Sequence, residues 1–184
     1  MNTDKYKWHI LNSLNKTETG VPEFSKKYNI TEELAKILMN RGIDDESKLS
    51  HYLFDSAADL GDPFLMKGMP EAVDRILRAI DGREKIVIYG DYDVDGVSAT
   101  AILYECLTNL GAQVRCKLPT REGGGYGLNR ETLQKLADKG YKLIVTVDNG
   151  ISAIEEADLA AELGIELVIT DHHLPAQQLP KAVA

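Results

Sequence analysis

From Lys85 onward, uninterrupted apolar runs alternate with segments of helical spacing. KIVIYG, KLIVTVD and IELVITD are near-continuous apolar runs, the pattern of strands buried on both faces. AQVRCKLP alternates in strand fashion. Between these lie SATAILYECLTNLG, ended by Gly111; NRETLQKLADKG, with Asn129 as cap and Gly140 as stop; and SAIEEADLAAELG, acidic in its first half. Strand–helix repeats of this length predict an α/β fold, a parallel doubly wound sheet with right-handed crossovers. The first 80 residues read instead as helices. TEELAKILMNRG opens on Thr31 as cap and ends at Gly42, KLSHYLF follows, and Asp62-Pro63 breaks the chain. EAVDRILRAI puts Val73, Ile76, Leu77 and Ile80 on one face. The expected organisation is a helical N-terminal segment, 1–80, packed on an α/β domain, 81–184.

Polar residues collect where the apolar runs stop. IVIYG leads into Asp91, Asp93 and Asp95 at alternate positions, followed by Gly96; KLIVTV leads into Asp148-Asn149-Gly150; ELVIT leads into Asp171-His172-His173. Ligands of open parallel sheets bind beyond the carboxyl ends of the strands, so these groups are expected to converge on one edge. Clustered carboxylates repel and raise each other's pKa, a cost that a divalent cation removes. Hard oxygen donors suit magnesium, manganese or calcium, and histidine nitrogen favours manganese or zinc over calcium.

Each group also has a plainer reading. DYDVDG fits the first half of an EF-hand loop, but the twelfth position is Ile102 rather than Glu, and a strand precedes it. Aspartates after a strand serve as turn and cap residues, and Asp95 is the expected cap, with Gly96 starting the helix. Asn149-Gly150 is a strong turn signal, and paired histidines are often surface residues. PTREGGGYG lacks the lysine of a P-loop; it is either a surface loop or a phosphate clamp with Arg121 as its charge. His9 and His51 read as structural or surface residues.

Composition narrows the class. The 184 residues, 43% apolar and 27% charged, suit one soluble domain, or a domain with a small appendage. A net charge of -8 argues against whole-surface attraction to nucleic acid, though not against a local basic groove. Cys106 and Cys116 form no CxxC pair and are expected as buried free thiols. There is no apolar run long enough for a transmembrane helix and no signal-peptide h-region, so the expected location is cytoplasmic.

These motifs resemble the DHH phosphoesterase superfamily, with Asp171-His172-His173 as the naming motif and Asp148-Asn149-Gly150 as the second. DYDVDG, GYGLN and DPFLMKGMPEAVDRIL are similar to the RecJ-type branch of single-strand-specific DNA exonucleases. The resemblance implies a phosphodiesterase that uses two ions, Mn2+ or Mg2+. Asp91, Asp93, Asp148 and His172 would be the ligands, with Asp148 bridging. His173 would sit at the scissile phosphate, and Asp95 and Asp171 would support it or the ligands. Arg121, Asn149 and Gly150 are the expected substrate contacts. The implied activity is 5′-to-3′ hydrolysis of single-stranded DNA in repair and recombination. A single-strand-binding protein or a helicase would be a partner, and no membrane is involved. Alternatives are a phosphodiesterase of short oligonucleotides or cyclic dinucleotides, or a non-catalytic metal- or partner-binding piece. The family carries a further metal-binding aspartate and a second domain well after the third motif, whereas this chain runs eleven residues past His173. The expectation is therefore an N-terminal portion of a longer enzyme, weak or inactive by itself.

Overall fold

A computed structural model describes residues 17–54, 61–119 and 127–184. The chain divides into two compact units, residues 1–61 and 62–184. In the first, helices α1 (Thr17–Tyr28), α2 (Glu32–Asn40) and α3 (Glu46–Phe54) share a small core of Val21, Phe24, Ala35, Leu38 and Leu49. Thr31 caps α2 as the sequence indicates, its hydroxyl accepting from the Leu34 N–H.

The second unit opens with a 3-10 turn, Pro63–Leu65, capped by the Asp62 carboxylate, and with helix α4 (Met69–Asp81). Four parallel strands follow: β1 (Lys85–Tyr89), β2 (Gln113–Lys117), β3 (Tyr141–Val147) and β4 (Glu166–Thr170). Helices α5 (Val94–Asn109), α6 (Arg130–Asp138) and α7 (Ile154–Glu162) connect them. Strand order is β2-β1-β3-β4, a doubly wound sheet as expected.

The continuous apolar runs resolve into two faces with period two. Ile86, Ile88, Leu143, Val145, Val147 and Val168 pack under α4 and α5, with Ala72, Ala79 and Leu107. Val87, Tyr89, Ile144 and Leu167 pack under α6 and α7, with Leu133, Leu136, Ala157 and Ala160. Asn129 caps α6, and left-handed glycines at 111 and 140 follow α5 and α6, where the helical patterns stop.

The cysteines depart from expectation. Cys106 and Cys116 are both exposed free thiols. Strand β2 is a sheet edge whose residues are mostly open, and α5 is apolar around much of its circumference, leaving Ile102 71% exposed. A helix apolar on all sides does not reveal from its sequence which side faces inward. Among the described residues no helix is long and apolar enough to cross a membrane.

Helix α4 is tied to the sheet by Arg75, which is only 3% exposed. Its guanidinium donates to Glu84 before β1 and to Glu166 at the start of β4, each at 2.7 Å. Removing it leaves two carboxylates facing each other without a counter-charge. Arg75→Met should lower the unfolding free energy by about 2 kcal/mol. Glu84→Gln should cost less, because Glu166 still pairs with the arginine. Urea midpoints of the two variants test this order.

Candidate metal centre

The strand order decides where the site lies. The chain leaves β1 for β2 on one side and later returns to β3 on the other. The loops after β1 and β3 therefore run apart, and the crevice between them is the switch point at which open α/β sheets bind ligands. Asp91 follows the end of β1 and Asp148 follows Val147 directly. Asp171, His172 and His173 follow β4, the next strand outward.

The loop after β1 is built for close approach. A Cβ on Gly96 would fall 2.6 Å from the Asp91 nitrogen, and one on Gly90 would fall 2.0 Å from Thr100 Oγ1. Only glycine lets the first turn of α5 lie directly over Asp91. The helix begins at Val94, earlier than its apolar spacing suggests. Its cap is Asp93 rather than Asp95, with Oδ1 accepting from the Gly96 N–H at 3.0 Å. Asp95 is exposed in the first turn, where its charge suits the positive helix end. Its carboxylate belongs to neither ligand group among the described residues.

Two groups of ligand atoms form, each with all its atoms within 4.8 Å of one another. One is Asp91, Asp93 and Asp148; the other is Asp148, His172 and His173. Asp148 is common to both. It is 8% exposed and sits at φ +63°, a left-handed conformation unusual for a residue with a side chain. Its Oδ1 lies 2.9 Å from His172 Nε2. Burial pushes its pKa up, and the neighbouring Asp93 carboxylate adds to that. Asp93 is held below the usual range by the Gly96 N–H and by its contact with Asp148. Asp91 is 4% exposed, and its Oδ1 is buried without a hydrogen-bond partner. An orphaned carboxylate oxygen beside a crowded carboxylate pair, flanked by imidazoles, fits a divalent cation with oxygen and nitrogen donors.

Asp171 holds His173. Its Oδ2 accepts from the Ile151 N–H at 3.0 Å, while Oδ1 accepts from the His173 N–H and lies 2.7 Å from His173 Nδ1. Burial acts to raise its pKa, but these donors outweigh it and hold the group low. The same contact raises the His173 pKa. Pinning Nδ1 to a carboxylate leaves the ring's outward chemistry to Nε2.

The expected substrate contacts fare differently. Arg121 lies outside the described residues. Asn149 is fully buried, and its amide nitrogen donates to the carbonyls of Tyr89 and Val147, so it holds the backbone at the ends of β1 and β3. Gly150 lines a cleft of about 310 Å3 beside His173, with Leu128, Ile151 and Glu156. Sequence reasoning passed over Tyr89. Its buried hydroxyl donates to the Gly127 carbonyl at 2.9 Å and accepts from the Asn129 amide at 3.2 Å, anchoring the end of the glycine-rich loop. The available signal was a polar-tipped aromatic ending a buried strand, since such a hydroxyl needs a partner.

The model of the DHH family, N-terminal domain, matches residues 85–184. The single-stranded-DNA-specific exonuclease RecJ of Bacillus subtilis (strain 168) is 42% identical over 180 residues, 98% of this chain and 22% of that protein. The protein of the same name from Escherichia coli (strain K12) is 38% identical over 120 residues, 65% of this chain and 21% of its own. This chain thus spans about a fifth of these relatives. Among solved structures, exonuclease RecJ bound to manganese superimposes with a TM-score of 0.61 at 36% identity, covering 64% of this chain and 30% of that one. RecJ of Thermus thermophilus in complex with Mn2+ gives 0.64 at 29% identity, covering 90% and 23%.

Two outcomes follow from the geometry. Gly96→Ala should destabilise the protein by roughly 2 kcal/mol, because the new methyl meets backbone that cannot swing aside. It should also weaken manganese binding, read by calorimetric titration. Asp148→Asn removes a buried carboxylate whose charged form the fold disfavours. In EDTA it should melt at a higher temperature than the parent, and added Mn2+ should stabilise the parent but not the variant. A lower melting temperature in EDTA would contradict the repulsion argument.

Proposed function

The chain belongs to the DHH family and is homologous to the N-terminal part of RecJ-type exonucleases, and from that premise we propose metal-dependent phosphodiester hydrolysis as its chemistry. For a polypeptide that spans the full length of these relatives, the proposed substrate is single-stranded DNA, degraded 5′ to 3′. The observation that carries this reading is the membership of Asp148 in both ligand groups. One buried carboxylate reaching two sets of donors is the arrangement a two-metal phosphodiesterase needs.

In this reading Asp91, Asp93 and Asp148 would hold one ion, and Asp148 with His172 would hold a second. A bound pair of manganese or magnesium ions would supply an acidified water and positive charge at the attacked phosphate. The rest falls to the chain. Asp148 fixes the separation of the two sets of donors. Asp171 orients His173 through Nδ1, which raises its basicity and lets it present a positive edge to a non-bridging phosphate oxygen. Gly150 and the cleft beside His173 admit the strand next to the scissile bond. Arg121 clamps a phosphate from the glycine-rich loop, and Asp95 supports the ligand-bearing turn. The manganese bound in the two similar RecJ structures supports the choice of ion. Proteins that expose or coat single strands, a helicase or a single-strand-binding protein, are the proposed partners.

The test uses a polypeptide of the relatives' full length and residues 1–184 side by side. Single strands labelled at the 5′ or 3′ end, duplexes, short oligonucleotides and cyclic dinucleotides are incubated with Mn2+ or EDTA. The longer polypeptide should release mononucleotides from the 5′ end of single strands with Mn2+ only. Asp148→Ala should reduce the rate by roughly 10³-fold or more. Residues 1–184 alone should be much slower, because fewer groups position the strand. Preference for cyclic dinucleotides would move the substrate elsewhere in the superfamily. Activity in EDTA would refute the metal chemistry.

A further inference from the structure

We infer that Asn149 is a positioning residue for the metal centre, its buried amide stapling the ends of β1 and β3 and thereby setting the spacing of Asp91 and Asp148. The inference rests on the metal-binding reading of that site.

The β1–β3 ladder ends at Tyr89 opposite Thr146. Past that point the backbones turn outward. The Gly90 N–H donates to Lys117 on β2 at 3.0 Å, and the Asp148 N–H donates to Thr170 on β4 at 2.9 Å. Each ligand-bearing loop is thus tied to its outer neighbour, in opposite directions, which is how the crevice opens. The Asn149 amide spans the divide, donating to the Tyr89 carbonyl and to the Val147 carbonyl, each at 3.0 Å. Asn149 is fully buried, so neither bond competes with water.

Two forces act against this spacing. Asp91, Asp93 and Asp148 repel one another without a cation, and Asp148 holds the left-handed φ of +63°. Gly150 at φ +108° then turns the chain away. An amide suits the position chemically because it supplies two donors to two carbonyls and adds no negative charge beside three carboxylates. Aspartate would supply no donor and a fourth charge; serine would supply one donor. A plain turn role for Asn149 predicts something else, namely that metal affinity falls only as far as general stability does.

The experiment measures the Mn2+ dissociation constant of the full chain from the electron paramagnetic resonance signal of free Mn2+, with melting temperatures in EDTA. Asn149→Ala is compared with Ala79→Gly, a buried substitution in α4. Asn149→Ala should weaken Mn2+ binding about 10- to 100-fold, the range for residues that orient metal ligands. Asn149→Ser should fall between it and the parent. Ala79→Gly should leave affinity near the parent value at whatever melting temperature it has. If Asn149→Ala binds Mn2+ no more weakly than Ala79→Gly, the staple is overturned. If Asn149→Ala lacks the parent's circular dichroism, Asn149→Ser carries the same comparison. If the parent binds no Mn2+, or binds it equally after Asp148→Asn, the metal reading fails and the staple fails with it.

Discussion

Parallel pairing of β1 with β3 is the constraint on which the site depends. It sets two strand ends side by side, at the point where the winding of the sheet reverses, and each end delivers a buried aspartate. Neither loop has the ligands alone. Asp91 and Asp93 form a candidate ligand group only with Asp148 from across the crevice, and Asp148 forms a second one with the histidines that follow β4. The apolar layers beneath make the pairing rigid. Ile86, Ile88, Leu143 and Val145 fill one face, and Val87, Tyr89 and Ile144 fill the other, so the strands cannot slip without turning an entire row to the wrong side.

The centre opposes the stability of the fold that carries it. Close carboxylates, a left-handed aspartate and a buried oxygen without a partner are each unfavourable in a cation-free protein. Local devices offset them. Gly90 and Gly96 admit tight packing under α5, Asp93 is occupied as a helix cap, and Asp171 gathers donors from Ile151 and His173. Asp93 shows how such a site economises on residues. The same carboxylate starts a helix through Gly96 and contributes an oxygen to the ligand group, so helix and ligand geometry are set together.

Much of this was legible from the order of residues. Apolar runs of strand length separated by capped helices point to a parallel sheet, because each intervening helix is a crossover that returns the chain to start the next strand in the same direction. Polar clusters at the ends of three such runs specify one edge of that sheet as the place for ligands. The aspartates of DYDVDG, Asp148 and Asp171-His172-His173 stand out on that ground, while the choice of Asp91, Asp93, Asp148 and His172 among them rests on the family resemblance; Thr31 and Asn129 were recognisable as caps from local chemistry.

What only the tertiary structure decided has a common physical reason: it depends on contacts between segments distant in sequence. The exposure of Cys106 and Cys116 depends on which side of α5 faces the sheet and on β2 lying at an edge. The cap fell to Asp93 because Gly96 packs on Asp91, a contact invisible in a run of alternating aspartates. Asn149 read as a turn signal by itself and as a substrate contact through the resemblance, yet its amide lies buried between two strand ends. Periodicity and caps are local properties, so the sequence determined the elements and the edge at which they present their ligands. The partner of each buried polar atom is a property of the packed sheet, and only the fold assigned it.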